Sequence, residues 1–252
     1  MVVKILSKNW MEIAATINVS TGDGTKQYMY NRNREIKWYS VGSDDTTTET
    51  VEMIWNSAVS IDRICLRGHN LKEFSIQYWN GSNYVNFSPA ISETANTETD
   101  NLFSFTKVST LKVKLSAVKT ITPNQEKHIG VFHVYEEKIS LPDDNLPDAH
   151  EPMAYVKKNV HEKADGGSLV IVENIYPKHQ NILAFEHLPL SYVDLFYALK
   201  ITHASFWFIP DTIDIKDQYY VNWENDYNFR KVGIWTKAGE RCYTGTVELK
   251  EV

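Results

Sequence analysis

The feature that most constrains this chain is a period-two alternation of apolar and polar residues, repeated in short segments through its first two-thirds. Residues 50–55, 60–67 and 74–79 are examples, rich in β-branched and aromatic side chains and separated by turn residues. Successive side chains of a strand point to opposite faces of a sheet, so this alternation is typical of half-buried strands. About eight such segments predict an antiparallel sandwich or jelly roll.

The residues of one turn predict a β-hairpin. Residues 76–79 and 84–87 flank Asn80-Gly81-Ser82-Asn83, and Asn-Gly supplies the positive-φ residues that a tight turn needs. The alternation also predicts a core, which contains Trp38, Ile64, Leu66 and Phe74.

The amino-acid composition changes between residues 138 and 167. Pro142, Pro147 and Pro152 fall there among acidic residues, and proline at that density disfavours both helix and sheet. We therefore expect an extended linker at 138–167, which separates a domain at 1–137 from one at 168–252.

The second domain is predicted to be small and mostly β. Strands are expected at 168–176 and 181–188, followed by one helix near 190–200 and four further strands. Leu195, Phe196 and Leu199 are expected to form the apolar face of that helix.

Composition excludes several classes of protein. The net charge is −6 and the pI is about 5.8, which argues against nucleic acid and anionic membranes as partners. No stretch approaches the roughly 20 apolar residues of a membrane span, and the N-terminal apolar run is too short for a signal peptide. We therefore expect a soluble chain made in a cytosol.

Cys65 and Cys242 are far apart and are expected to be free thiols.

No catalytic set is visible. The sequence has no nucleophile elbow, phosphate loop or zinc motif, and its eight histidines are scattered. Asp211, Asp214 and Asp217 recur every three residues, but without the glycine of a calcium loop they are interpreted as a charged connection between strands. The sequence therefore predicts no catalytic residue, no metal and no cofactor, and a protein that is not an enzyme.

Residues 20–137 resemble a family. Trp38 with Ser40 matches a W-x-S strand, residues 61–66 match an I-x-R-I-x-L strand, and residues 74–78 match an F-x-I-Q-Y strand before the hairpin. The segment 130–135 matches a closing strand. Together these resemble the discoidin domain (coagulation factor 5/8 type C), a galactose-binding-like jelly roll. The disulfide of the animal members has no counterpart here.

The variant LRGHNLKEF at 66–74 is similar to discoidin-like domains of tailed-phage structural proteins. The second half resembles small β domains at the ends of phage tail and baseplate proteins. This resemblance implies a structural protein of a bacteriophage virion, in the tail, baseplate or neck, assembled in the host cytoplasm. Its partners would be copies of itself and other virion proteins. The expected interface residues are aromatic: Phe206, Trp207, Phe208, Tyr219, Tyr220 and Trp223.

The alternative is a carbohydrate-binding or host-recognition module. Discoidin domains bind ligands with loops at one end of the sandwich. A sugar site needs an aromatic surface and convergent polar groups, which this chain offers in the loops 21–33 and 42–48. The candidate rim residues are Tyr28, Tyr30, Arg32, Arg34, Asp44 and Asp45.

Overall fold

The computed structural model describes residues 3–31, 36–141, 154–156, 160–163, 169–172, 178–202, 204–210, 218–234 and 241–252. These residues form two compact units. The sandwich unit is Ser7–Glu137, and the second unit combines the first six residues with Lys138–Val252.

The sandwich unit contains eight strands and two 3₁₀ helices in its described residues. The 3₁₀ helices are Trp10–Ile13 and Asp23–Met29. The strands are β2 (Thr16–Val19), β3 (Trp38–Tyr39), β4 (Glu49–Arg67), β5 (Leu71–Trp79), β6 (Tyr84–Glu93), β7 (Asp100–Thr120), β8 (His128–Ile129) and β9 (Val131–Tyr135).

All described strand pairs of this unit are antiparallel. The main sheet has the order β2-β4-β7-β5-β6, β9 pairs with the second half of β4, and β3 pairs with β8. The segments 50–55 and 60–67 are halves of one long strand, whose pairing with β7 is irregular between Ile54 and Val59. The two halves have different outer neighbours, β2 and β9, and one continuous strand thus joins both to the main sheet.

The predicted hairpin and core are confirmed. Asn80 Oδ1 accepts hydrogen bonds from the backbone N–H groups of Ser82 and Asn83, at 3.0 and 2.9 Å, and Gly81 has φ 105°. The four predicted core residues, Trp38, Ile64, Leu66 and Phe74, are at most 1% exposed. They belong to one cluster with residues of β5, β7 and β9.

The second unit is also mostly β, with one helix. Its elements are β1 (Val3–Leu6), β10 (Glu137–Leu141), β11 (Ala154–Val156), β12 (Val160–Lys163), β13 (Leu169–Val172), β14 (Lys178–Pro189), α1 (Leu190–Ile201), β15 (Phe206–Ile209), β16 (Tyr219–Trp223), β17 (Arg230–Ile234) and β18 (Arg241–Glu251). The larger sheet has the order β10-β1-β15-β16-β18-β14-β11, with β17 paired to β18. The all-β fold class is therefore confirmed.

The buried face of α1 differs from the expectation. Val193 and Phe196 are buried in the core of the second unit, whereas Leu195 is 43% exposed. Val193 and Phe196 are three positions apart and so lie on the same side of the helix, whereas Leu195 points away from that side. Leu199 is partly buried against the same core.

The sandwich unit ends at Glu137, where the sequence placed the end of the first domain, but residues 1–6 belong to the second unit instead of the first. Val3–Leu6 pairs with β15 in the second unit, with Lys4 opposite Ile209. Its Val3 and Ile5 are fully buried, because a strand inside a sheet buries its alternating apolar residues. The expected linker holds β10, β11 and β12, while its three prolines lie outside the described residues.

Cys65 and Cys242 are both buried and form no disulfide, as predicted. Across the described ranges, no helix is long and apolar enough to cross a membrane.

Candidate functional site

One end of the sandwich unit is unusually rich in buried polar side chains. They lie in or beside the connections that follow β3, β4, β6 and β7, and they are Ser40, Ser43, His69, Asn70, Asn96, Thr120 and Lys127. A buried polar group is costly unless it is hydrogen-bonded. Here the bonds join one connection to another: Asn70 Nδ2 donates to the carbonyl of Glu126 at 2.9 Å, and Asn96 Nδ2 donates to that of Leu71 at 2.8 Å. The loops are therefore held in one arrangement.

Lys127 lies at the centre of this network. Its side chain is fully buried, and its ammonium donates hydrogen bonds to the backbone carbonyls of Asp44 and Thr47. Its backbone N–H donates to Ser40 Oγ at 2.8 Å, and its carbonyl accepts from the Ser40 N–H at 2.9 Å. One residue therefore fixes both β3 and the turn that follows it.

Asp44 and Asp45, which the sequence places on the rim, shape the same turn. Hydrogen bonds from the hydroxyl and the N–H of Thr46 lower the pKa of Asp44. Burial alone would raise the pKa of Asp45, but hydrogen bonds to its carboxylate, including those from the N–H and hydroxyl of Thr120, outweigh burial and lower it. Both carboxylates are thus occupied by the protein itself.

The other predicted rim residues give a mixed picture. Tyr30 packs against the core and Tyr28 is half-buried, while Arg32 and Arg34 lie outside the described residues. The loop that contains the tyrosines sits tightly against β3. A Cβ added to Gly22, whose φ is 70°, would lie 2.0 Å from the Tyr39 carbonyl oxygen.

An exposed apolar surface lies on this end, in residues 36–41, which we call the 36–41 rim. Ile36, Tyr39 and Val41 are 38%, 44% and 66% exposed, and they are three of the five exposed large apolar side chains of the sandwich unit's described residues. Trp38 and Ser40, which alternate with them, are fully buried. A concentration of exposed apolar side chains on an ordered loop end is typical of a binding surface.

Two polar groups flank the Tyr39 ring. His128 lies 5.4 Å from it, centroid to centroid, with a 47° tilt. Lys37 Nζ donates to His128 Nε2 at 3.3 Å. Burial, together with the positive charge of Lys37, lowers the pKa of His128 to about 4. His128 is therefore neutral near pH 7, with its one remaining proton on Nδ1.

The segment after β4 completes the surroundings of Lys37. A Cβ at Gly68 would lie 3.7 Å from Lys37 Cε. The Gly68 N–H donates to Asp100 Oδ1 at 2.9 Å, and Arg67 Nε lies 3.9 Å from the same oxygen. His69 is fully buried and its pKa is lowered by burial, which makes it a structural residue.

Sequence reasoning found this end of the sandwich but missed Lys37, Tyr39, Val41 and His128. A signal for two of them was present: if Trp38 and Ser40 of the W-x-S match point inward, then Tyr39 and Val41 must point outward. Lys37 and His128 are 91 positions apart, and no local spacing predicts their contact.

The six predicted interface aromatics lie inside the second unit. Phe206 and Phe208 share its core with Val193 and Phe196 of α1, and Trp207 is 4% exposed. The other three are half-buried: Tyr219, Tyr220 and Trp223. Phe206 and Phe208 are therefore core residues of the second unit and lie in one cluster with residues of the helix.

No group of three or more metal-ligating side chains converges among the residues that the structure describes. Asp211, Asp214 and Asp217 lie outside them.

The sandwich unit is thus an all-β module of antiparallel strands around one buried apolar core. Similar solved structures include a chitosan-binding module of a chitosanase/glucanase from Paenibacillus sp. IK-5 (18% identity, 51% of this chain and 98% of that chain, TM-score 0.44). A family 32 carbohydrate-binding module from C. perfringens NanJ, solved with galactose, is 15% identical over 53% of this chain and 99% of that chain (TM-score 0.42). A putative alpha-L-fucosidase from Bacteroides thetaiotaomicron matches at 16% identity over 52% of this chain and 29% of that chain (TM-score 0.43). No family model and no curated protein matches the chain.

Proposed function

We propose that the sandwich unit is a carbohydrate-binding module, which binds a sugar at the 36–41 rim and does not transform it. One observation supports this proposal most: the exposed Tyr39 ring stands beside Lys37 and neutral His128 on a loop end that buried hydrogen bonds hold in place. Sugar sites combine an aromatic surface with a few convergent polar groups. The ring would contact the C–H face of the sugar, and the two polar side chains would hydrogen-bond its hydroxyls.

The rigidity of this end favours binding. A loop that must become ordered around a ligand loses conformational entropy, which subtracts from the affinity. The bonds of Lys127, Asn70 and Asp45 order these loops in the free protein, so a ligand would meet a preformed surface.

The role in a virion, with virion proteins or further copies as partners and the virion as location, stays a prediction. Of the six aromatic residues expected at such interfaces, three are buried and three are half-buried within the second unit. The carbohydrate-binding alternative is therefore the function that we propose.

A sugar panel with matched variants tests the proposal. Galactose and chitotriose, which are bound in two similar solved structures, are included with fucose and pectin in a glycan array and in calorimetry. We expect Tyr39→Ala to weaken binding of the best sugar at least ~10-fold, which corresponds to about 1.4 kcal/mol. Tyr197→Ala removes another exposed tyrosine, on α1, and should change nothing.

Two results would contradict the proposal. Sugar binding that survives Tyr39→Ala unchanged would place the site elsewhere. Cleavage of a bound oligosaccharide, detected by chromatography of its products, would show that the protein is an enzyme.

A further inference from the structure

Among the described residues, the ammonium of Lys37 has no anionic partner. Its hydrogen-bond partner is His128, a neutral group, and no carboxylate of a described residue lies within ion-pair distance of its Nζ. Lys119, in contrast, pairs with Glu73 at 2.7 Å. The Lys37 side chain is half-buried beside the exposed Tyr39 ring.

Two carboxylates of described residues at this loop end are already engaged by other groups. Asp100 accepts the Gly68 N–H at 2.9 Å and faces Arg67, and Glu126 Oε1 accepts the Gly42 N–H at 2.7 Å. Neither residue forms an ion pair with Lys37. A half-buried cation whose hydrogen-bond partner is neutral has lost part of its hydration and has gained no ion pair in exchange.

A ligand with a negative charge would supply the missing partner. A charge-assisted hydrogen bond to an ammonium is roughly twice as strong as one between neutral groups. Because the whole chain carries a net charge of −6, this attraction would act locally at the rim and would not come from the protein's overall field.

We propose that the 36–41 rim is specific for anionic saccharides, with the acidic group of the sugar bound to Lys37 while the sugar ring lies on Tyr39. This inference rests on the proposed function. The ligand class is a sugar that carries an anionic oxygen group, which is either the carboxylate of a uronic acid or a sulfate ester. His128 has a positioning role, because its Nε2 accepts one N–H of the ammonium and leaves the others to the ligand.

A pair of polymers with the same backbone tests this inference on the full-length chain. Polygalacturonate carries a carboxylate on each sugar, and its fully methyl-esterified form carries none. We expect the acid form to bind at least ~10-fold more tightly at low salt, and we expect salt to reduce this difference. A sulfated galactan serves as the second anionic probe. Whichever anionic polymer binds more tightly identifies the preferred acidic group.

Three variants assign the effect to Lys37. Lys37→Met should bring the acid form down to the affinity of the ester, Lys37→Arg should retain the preference, and Lys231→Met, which removes an exposed cation from β17, should leave it intact. Circular dichroism of each variant verifies its folding. Ester binding by Lys37→Met, weakened at most by the loss of one hydroxyl hydrogen bond, shows that the rim is intact.

The outcomes separate the two proposals. If the wild-type chain binds the ester as tightly as the acid, or if Lys37→Met keeps the preference, the specificity is wrong while carbohydrate binding stands. If no sugar of either kind binds, both proposals fail.

Discussion

Replacing the buried Lys127 by methionine is the most direct test of how the loop end is held together. The substitution keeps the length of the side chain and removes the ammonium. The carbonyls of Asp44 and Thr47 then lose their donor, and Asp45 loses a positive charge that lowers its pKa. Few waters can replace the ammonium, since the side chain is fully buried.

The magnitude follows from these contacts. A hydrogen bond from a charged donor contributes about 1.5–3 kcal/mol, and there are two of them. Methionine regains part of this free energy through apolar burial, so we expect Lys127→Met to lower the free energy of unfolding of the sandwich unit by about 3 kcal/mol.

Peptide-resolved hydrogen exchange during urea titration is the appropriate assay, because it assigns each transition to one of the two units. In Lys127→Met, amides of residues 40–48 should exchange faster already without urea, and sugar affinity should fall with them. A loss below about 1 kcal/mol, with unchanged exchange at 40–48, would refute the reasoning. Lys26→Met, at a surface ion pair with Asp23, is the control and should cost little.

Two further predictions concern the same end of the sandwich. Gly22→Ala should destabilise the sandwich unit by more than about 1 kcal/mol, because φ is 70° and the new methyl group would overlap the Tyr39 carbonyl; thermal denaturation measures this, and Gly24→Ala, at a site with open space, is its control. Because the pKa of His128 is about 4 when folded, below its ordinary value of 6.5, the unfolded chain takes up the proton first as the pH falls. The free energy of unfolding is therefore unaffected by His128 above about pH 6.5 and decreases as the pH falls toward 4. The decrease is at most about 3 kcal/mol, and solvent screening of this half-buried group makes it smaller. His128→Asn should lose less stability than the wild type between pH 7 and pH 4.5 in calorimetric scans, and equal losses would contradict the assignment.

The parts of the fold that follow from local physics were predictable. The alternation through β4 and β5 places Ile64, Leu66 and Phe74 inside, because each strand has one buried face. The Asn80-Gly81 turn is encoded by its own residues. The face of α1 was less predictable, since the short helix has several apolar residues and only packing selects Val193 over Leu195.

Features that depend on distant pairing were not predictable. Val3–Leu6 reads as a short apolar run, and its partner β15 lies some two hundred positions away. The candidate site shows the same limit. The loops were identified, but the acidic pair at Asp44 and Asp45 proved to be intramolecular hydrogen-bond acceptors, and the contact of Lys37 with His128 exists only in three dimensions.

Because Val3–Leu6 belongs to the second unit, the sandwich unit is an insertion within another fold. Its entry and exit lie side by side: the Ser7 N–H donates to the Glu136 carbonyl at 2.8 Å. In the host, β1 and β10 are hydrogen-bonded neighbours, so a short turn from Leu6 to Lys138 can replace the whole insert. We therefore expect that the sandwich unit can be exchanged for another domain with adjacent ends while the strand order of the second unit's sheet is kept.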